Sequence, residues 1–186
     1  MFIIKNNYYL YIENTKDVDL NIIKKNKKIF LIYRNTGIRE DLEKIIKFRK
    51  KSKEKGFKFY VSNNDKLLKD CKADGLYISS FNKKIYHRKN LNIIGSAHNF
   101  KEISQKMRQG CKTIILSRLF KTSYVHKKSN LGILRFNLIK KNYNINIVPL
   151  GGINRLNLLK LNMVNSKGFA LLSEVKKKPA ISSRLF

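Results

Sequence analysis

The sequence has 186 residues, a length that suits one domain with a sizeable core. Its 41 Lys and Arg against 12 Asp and Glu give a formal net charge of +29. Nucleic acid, anionic membranes and phosphorylated small molecules are therefore the natural partners to consider. The charge alone does not choose among them, because the lysines are spread along nearly every segment and biased codon usage would give the same spread without selection for a ligand.

The cysteines and the N-terminus bear on the compartment. Cys71 and Cys111 are far apart and form no CxxC pair, so neither a disulfide framework nor a zinc site is indicated. The apolar run at the N-terminus stops at Lys5, which is too short for the core of a signal peptide, and no stretch approaches the roughly 20 apolar residues of a membrane span. We therefore expect a soluble, cytoplasmic protein.

Short apolar runs rich in Ile, Val, Tyr and Phe alternate with longer amphipathic stretches along the chain. This alternation is typical of βα units and a parallel sheet. Helices are predicted over residues 39–55 and 100–107, and Gly56 and Gly110 are the residues expected to end them. Strands are predicted at residues 8–12, 29–34, 58–62, 75–78, 92–96, 113–117, 146–150 and 168–172.

Strands joined by helical connections in this number predict an α/β fold, a single-domain (β/α)8 TIM barrel, with an open doubly wound sheet as the alternative. The chain is short for such a barrel, since about 250 residues are typical. Little room for a helix remains between Ile78 and Asn92, and only a Lys-rich segment follows Leu172. We therefore predict reduced helices after strands four and eight, a barrel over residues 1–175 and a basic C-terminal tail over 176–186.

The ends of the last two strands carry the residues best suited to hold a phosphate. Barrels of this type bind ligands at the C-terminal ends of their strands, often with a phosphate in the loops after strands seven and eight. Gly151 and Gly152 follow strand seven, where we expect a helix to begin, and paired glycines let backbone N–H groups approach an anion. Ser173, at the end of strand eight, can offer a hydroxyl and an N–H. A Gly-Gly pair is more often only a tight turn, so its position is what favours a phosphate site.

Several short motifs lie in order between about Tyr9 and Val175. They are Arg34 on strand two, Ala73-Asp74-Gly75, Ile94-Gly95-Ser96-Ala97-His98-Asn99, Phe120-Lys121-Thr122, Leu131-Gly132, Pro149-Leu150-Gly151-Gly152-Ile153 and Gly168-Phe169-Ala170-Leu171-Leu172-Ser173. In their order and spacing these motifs resemble the thiamine phosphate synthase/TenI family. That family's synthase joins an aminopyrimidine methyl diphosphate to a thiazole phosphate and releases pyrophosphate, with magnesium on the leaving group. TenI-type members instead isomerise a thiazole carboxylate phosphate.

The resemblance implies catalytic roles for Arg34, Ser96 and His98. Arg34 matches the arginine of the family's Gln-x-Arg-x-Lys, which meets the diphosphate, although Ile32 and Thr36 replace the flanking glutamine and lysine. Ser96 and His98 match the family's Ser-x-His after strand five.

The resemblance also implies two sets of phosphate-binding residues. Gly151, Gly152 and Ser173 match the cradle for the thiazole phosphate, and Thr122 matches a threonine near the phosphates. Basic side chains near the barrel mouth are candidates for holding the diphosphate by charge. These are Arg118, Lys121, Lys127 and Lys128.

The positions that match the family's metal ligands have changed. Asn63 lies in the Ser62-Asn63-Asn64 run that replaces the family's Asn-Asp-Arg. The family also has an acidic residue in the loop after strand four, and the matching position here is at about Asn82. Because magnesium prefers carboxylate oxygens, we expect it to bind weakly at best, and we assign no metal ligand. Ser117-Arg118 replaces the Gly-Pro whose second position is a catalytic histidine in some TenI proteins; His126 lies nearby in a loop, where a histidine is more often merely solvated.

The leading hypothesis is a divergent member of this family that binds thiazole phosphate and couples it to the aminopyrimidine diphosphate, acting as a transferase if it is active. One alternative is a thiazole tautomerase-like isomerase. Another is a non-catalytic protein on the same barrel that binds anions or nucleic acid. Phosphorylated thiazole and pyrimidine compounds are the expected partners, no membrane is expected, and the sequence does not indicate the oligomeric state. The lysines that raise the nucleic-acid alternative crowd one helix and its end: Lys44, Lys47, Lys50, Lys51, Lys53 and Lys55.

Overall fold

The computed structural model describes residues 5–37, 39–86, 90–122 and 129–172. Eight parallel strands follow one another in chain order around a closed barrel, which confirms the (β/α)8 class. The bounds of the strands differ from the predicted ones by at most one residue. They are β1 (Asn7–Ile12), β2 (Ile29–Tyr33), β3 (Lys58–Ser62), β4 (Gly75–Ile78), β5 (Ile93–Ala97), β6 (Thr113–Ser117), β7 (Asn146–Leu150) and β8 (Gly168–Leu171).

The connections between the strands are unequal. Four carry α-helices: α1 (Leu42–Glu54), α2 (Asp65–Asp70), α3 (Phe100–Arg108) and α4 (Gly132–Lys141). Residues 79–86 and 90–92, the described part of the link between β4 and β5, contain no helix, as predicted. The predicted reduction after strand eight and the tail from residue 176 fall outside the described residues and stay predictions.

Two further connections are shorter than we expected. Only 3-10 helices follow β1 and β7, at Thr15–Asp17 and Leu158–Met163. After β7, Asn154 and Asn157 satisfy the backbone locally, since the Asn154 N–H donates to Asn157 Oδ1 at 2.9 Å and the Leu156 N–H donates to Asn154 Oδ1 at 2.9 Å. Such side-chain to backbone bonds compete with helix formation, so the helix expected to begin at Gly152 is absent.

Contacts between residues group the chain into two compact units, and Tyr8–Tyr77 forms most of one of them. This unit has an aromatic interior. The Tyr9 and Phe30 rings stack with centroids 4.7 Å apart, and Phe30 lies 6.1 Å from Tyr60. Parallel strands that are buried on both faces read as nearly continuous apolar runs, which explains why β1 to β4 were visible in the sequence.

Ile78–Ala170 forms most of the other unit. Here α3 packs on β5, where a Cβ on Gly95 would lie 2.8 Å from Cys111 Sγ and 3.0 Å from the Lys106 side chain. Gly110 ends α3 with a positive φ of 77°, as the sequence predicted. No helix in the described residues is long and apolar enough to cross a membrane.

Candidate functional site

The ends of β5, β6 and β7 lie side by side in the unit formed by Ile78–Ala170. Ala97 pairs with Leu116, and Ser117 pairs with Leu150. Because all strands are parallel, the residues that follow these positions emerge at the same end of the sheet. Strand register therefore brings together the loops that carry His98, the residues after Ser117 and the glycine pair.

His98 is held by the start of α3. Asn99 is the N-cap of this helix, and its side chain accepts a hydrogen bond from the Glu102 N–H at 2.9 Å. Glu102 in turn accepts the His98 N–H at 2.8 Å, a reciprocal arrangement typical of helix N-termini. The imidazole is exposed, and its Nδ1 lies 2.7 Å from Ser117 Oγ. Ser96, the other residue of the Ser-x-His motif, is buried in β5.

The glycine pair lets the loop after β7 touch the loop after β6. The Leu119 N–H donates to Leu150 O at 2.9 Å, and the Phe120 N–H donates to Gly151 O at 3.0 Å, so the β6–β7 ladder continues past both strands. Gly152 has a φ of 69°, and a Cβ there would lie 2.5 Å from Phe120 O. A side chain at this position would meet both the left-handed backbone penalty and the neighbouring main chain.

This packing corrects part of the reason we gave for the glycines. The carbonyl groups of Phe120 and Lys121 fill the space that a Cβ on Gly152 would occupy, and no helix begins at the glycine pair. The backbone N–H groups remain candidates for anion binding, because those of Gly151, Gly152 and Ile153 donate no hydrogen bond to the described part of the chain. The cradle itself stays a prediction.

The next residue along the β6 loop carries an unsatisfied polar atom. Thr122 Oγ1 is buried and makes no hydrogen bond within residues that the structure describes. Nearby in sequence, Arg118 is half-buried and Lys121 is exposed. A buried hydroxyl without a partner is costly unless a ligand or water completes it. Other residues expected here lie outside the described ranges: Ser173, Lys127, Lys128 and His126.

Arg34 lies in the unit formed by Tyr8–Tyr77, directly after β2, where its N–H donates to Ile12 O at 2.8 Å. Its charge acts on Tyr11, a residue with 2% exposure whose hydroxyl makes no hydrogen bond in the described structure. Burial raises the pKa of Tyr11 well above its usual value, Tyr77 raises it further, and Arg34 opposes the shift. The Tyr77 ring stands edge-on to Tyr11 with centroids 5.4 Å apart, and Tyr77 raises the pKa both electrostatically and through its side-chain hydroxyl.

The resemblance matches Asn63 and Asn82 to the family's metal ligands, and the structure describes a hydrogen bond with the backbone at each. Asn63 has a φ of 51°, a conformation that Asn tolerates better than most residues, and its N–H donates to Tyr77 O at 2.9 Å. Asn82 Oδ1 accepts the Lys84 N–H at 2.8 Å. In residues 5–37, 39–86, 90–122 and 129–172, no three His, Cys, Asp or Glu side chains cluster in a way that could hold a metal. These residues do not fit a carboxylate magnesium site.

A buried lysine fixes the segment that carries Asn82. Lys106, fully buried on α3, donates from Nζ to Ser79 O at 2.7 Å, to Asn82 O at 2.7 Å and to Gln109 Oε1 at 2.9 Å. Gln109 Nε2 adds bonds to Asn82 O at 3.0 Å and Lys84 O at 2.7 Å. Burial lowers the pKa of Lys106, and the charges of Cys111 and Glu102 oppose this shift.

Sequence reasoning missed two residues of these clusters. Ser117 was noted only as a departure from the family's Gly-Pro, and Tyr11 only as a strand residue. A signal existed for Tyr11, because a tyrosine within a buried strand needs a partner for its hydroxyl. No local signal could pair Ser117 with His98, since the contact depends on the register of β5 and β6.

These features define the chain as a (β/α)8 barrel with a glycine pair and polar side chains at the ends of its later strands. The family model described as thiamine monophosphate synthase (TMP-TENI) matches residues 11–175, and the chain belongs to this family. Family and fold together support a role in thiamine biosynthesis.

Individual relatives agree with this assignment. The thiamine-phosphate synthase of Clostridioides difficile is 27% identical over 157 residues, which cover 82% of this chain and 75% of that protein. The thiamine-phosphate synthase of Prochlorococcus marinus (strain AS9601) is 29% identical over 183 residues, which cover 93% of this chain but 52% of that protein. The chain thus spans about half of the longer relative.

A solved structure supports the fold. Thiamine phosphate pyrophosphorylase from Pyrococcus furiosus superposes with a TM-score of 0.77 at 18% identity, covering 97% of this chain and 93% of that one. At this identity the likeness shows the barrel and not the chemistry.

Proposed function

We propose that this chain is a divergent thiamine phosphate synthase/TenI-like protein that binds the phosphate of a thiazole phosphate at the ends of β6 and β7. The buried, unsatisfied hydroxyl of Thr122 carries this proposal. Thr122 directly follows the loop that packs against Gly151 and Gly152, whose N–H groups donate no hydrogen bond within the described part of the chain. A phosphate oxygen would accept from these donors and remove the cost of leaving the buried Thr122 hydroxyl unpaired.

The same proposal gives Arg34 the diphosphate of the second substrate. A guanidinium forms charge-assisted, often bidentate bonds with phosphate oxygens, and the Tyr11 hydroxyl beside it is a further donor. In the coupling step, the bond between the methylene carbon and the diphosphate oxygen breaks and its electron pair leaves with pyrophosphate. The thiazole ring supplies the pair for the new bond. Arg34 stabilises the departing charge electrostatically.

The chain offers no carboxylates at the positions that match the family's magnesium ligands, so we derive no step through a metal. In the family's reaction, magnesium neutralises the charge of the leaving diphosphate. In this proposal the described group that takes this task is Arg34. Arg118 and Lys121, in the unit formed by Ile78–Ala170, stay candidates that the resemblance implies.

The test is direct. Purified protein is mixed with the aminopyrimidine diphosphate and thiazole phosphate, with and without magnesium, and thiamine phosphate and pyrophosphate are measured. Equal amounts of both products are expected. Absence of both, together with no calorimetric binding of thiazole phosphate, would overturn the proposal. Conversion of the thiazole carboxylate phosphate without coupling would favour the tautomerase-like alternative.

One observation favours the nucleic-acid alternative. Arg49 of α1 pairs with Asp74 at 3.1 Å, and within the described part of the chain no ion pair involves the exposed lysines of α1. Binding of an oligonucleotide that falls steeply with salt would favour this reading. A charged outer helix is more often simply solvated, and the family assignment favours the small-molecule site. The exposed lysines are Lys44, Lys47, Lys50, Lys51 and Lys53.

A further inference from the structure

Ser117 has no counterpart in the family pattern, which places a glycine there, yet its side chain touches a residue of the Ser-x-His motif. Ser117 Oγ lies 2.7 Å from His98 Nδ1, a distance typical of a hydroxyl hydrogen bond. A glycine could not make this contact. The interaction therefore departs from the family pattern, and the role that the resemblance implies for His98 does not explain it.

The main chain holds both partners in place. The His98 N–H is bound by Glu102 Oε2 at 2.8 Å. Ser117 is the last residue of β6 and pairs with Leu150, and the ladder continues at Leu119 N–H to Leu150 O. The contact is thus set by two anchored backbones. With Nδ1 engaged, Nε2 is the ring nitrogen left to meet a ligand.

The hydrogen-bond inventory indicates where the ring proton sits. A neutral imidazole has one donor nitrogen and one acceptor nitrogen, and the bond to one of them selects the tautomer. The Ser117 hydroxyl has no acceptor other than His98 Nδ1 among the residues that the structure describes. Donation from Oγ to Nδ1 satisfies the hydroxyl and leaves the proton on Nε2, whereas the reverse direction leaves the hydroxyl proton without a protein acceptor.

We propose that Ser117 is a positioning residue that fixes His98 in the Nε2–H tautomer and turns this N–H toward the anion bound at the ends of β6 and β7. The ligand in this statement rests on the proposed function; the tautomer does not. Loss of one such orienting bond should weaken binding of thiazole phosphate about threefold to tenfold, as expected for a hydrogen bond worth about 0.5–1.5 kcal/mol.

The first measurement needs no ligand. Long-range ¹H–¹⁵N spectra of the full chain report the tautomer of each of the 3 histidines, and His98→Asn assigns the His98 signals. The wild type should show the Nε2–H form. Ser117→Ala should show a mixture, Ser117→Thr should restore the wild-type pattern because it keeps the hydroxyl, and the other two histidines should not change. A merely structural serine would change the melting temperature on substitution and leave the tautomer unmoved.

Calorimetry with thiazole phosphate completes the test, with affinity expected to fall for Ser117→Ala and to recover for Ser117→Thr. An Nδ1–H tautomer in the wild type, or an Nε2–H signal that persists in Ser117→Ala with unchanged affinity, would overturn the role of Ser117. If the wild type shows the expected tautomer and loses it in Ser117→Ala but binds no thiazole phosphate, the positioning stands and the proposed ligand is wrong.

Discussion

Replacing Gly152 with alanine tests whether the two loops must touch to build the phosphate site. The residue has a φ of 69°, and a Cβ would lie 2.5 Å from Phe120 O, whereas ordinary contact begins at 3.4 Å. The left-handed conformation costs about 1–2 kcal/mol for a residue with a Cβ. Relieving the contact requires the β6 loop to move by roughly 0.9 Å, and overpacking of this kind typically costs about 1–3 kcal/mol.

Gly110 provides the matched control. It has a φ of 77° at the end of α3, and a Cβ there would meet nothing within 4 Å. Gly110→Ala should therefore lower the free energy of unfolding only by the cost of the left-handed backbone, about 1–2 kcal/mol. Gly152→Ala should lose the same backbone contribution and also pay the overpacking cost of the contact with the β6 loop. At this chain length the overpacking lowers the melting temperature by a further ~2–12 °C.

The two variants should also differ in binding. Movement of the β6 loop displaces Thr122, so thiazole phosphate should bind about threefold to tenfold more weakly to Gly152→Ala, the loss expected for one hydrogen bond, and with unchanged affinity to Gly110→Ala. The assays are thermal unfolding and isothermal calorimetry. Equal stability of the two variants with equal affinity would show that the loop contact at Gly152 does not organise the site.

Three other predictions concern the remaining groups of the site. Thr122→Val should raise stability slightly, because it removes a buried unpaired hydroxyl, and should weaken phosphate binding about threefold to tenfold. Thr122→Ser, which keeps the hydroxyl, is the control. If stability and affinity both fall in Thr122→Val, the hydroxyl has a protein partner. Arg34→Ala should weaken binding of a diphosphate far more than that of a monophosphate, and equal losses in calorimetry would mean that Arg34 is structural. Asn63→Asp combined with Asn82→Asp should strengthen magnesium binding and raise any magnesium-dependent coupling rate; robust magnesium-dependent turnover by the wild type would contradict our interpretation of these substitutions.

The barrel could be predicted because most of its strands have a buried apolar centre. Most contain a short run of Val, Ile, Leu, Tyr or Phe, and the strand ends were found within one residue. The connections were harder. After β7 we expected a helix to begin at the glycine pair, yet the Asn154 and Asn157 side chains bind the local backbone and only a 3-10 helix forms.

The site could be predicted only where a single segment carries the information. A glycine pair after strand seven indicates a close approach, but the sequence does not say what approaches; the structure shows the carbonyl groups of Phe120 and Lys121. Likewise, Ser96-x-His98 was recognisable as a motif, whereas the hydroxyl that orients the histidine comes from the next strand. Contacts made through strand register join residues that are distant in sequence, and no local pattern reports them.

The segment after β4 shows how this chain can keep the family's barrel without the family's acidic residue. A connection that lacks a helix must satisfy its carbonyl groups in another way, and Lys106 and Gln109 do so for Ser79, Asn82 and Lys84. The anchor is thus a protein cation and not a metal ion. Because Asn82 Oδ1 already accepts the Lys84 N–H, an aspartate there would keep that bond and sit in a segment held by an ammonium group. A carboxylate so engaged binds a metal less readily, so most of the magnesium affinity gained by the double variant should come from Asn63→Asp, and the single variant at position 63 should approach it.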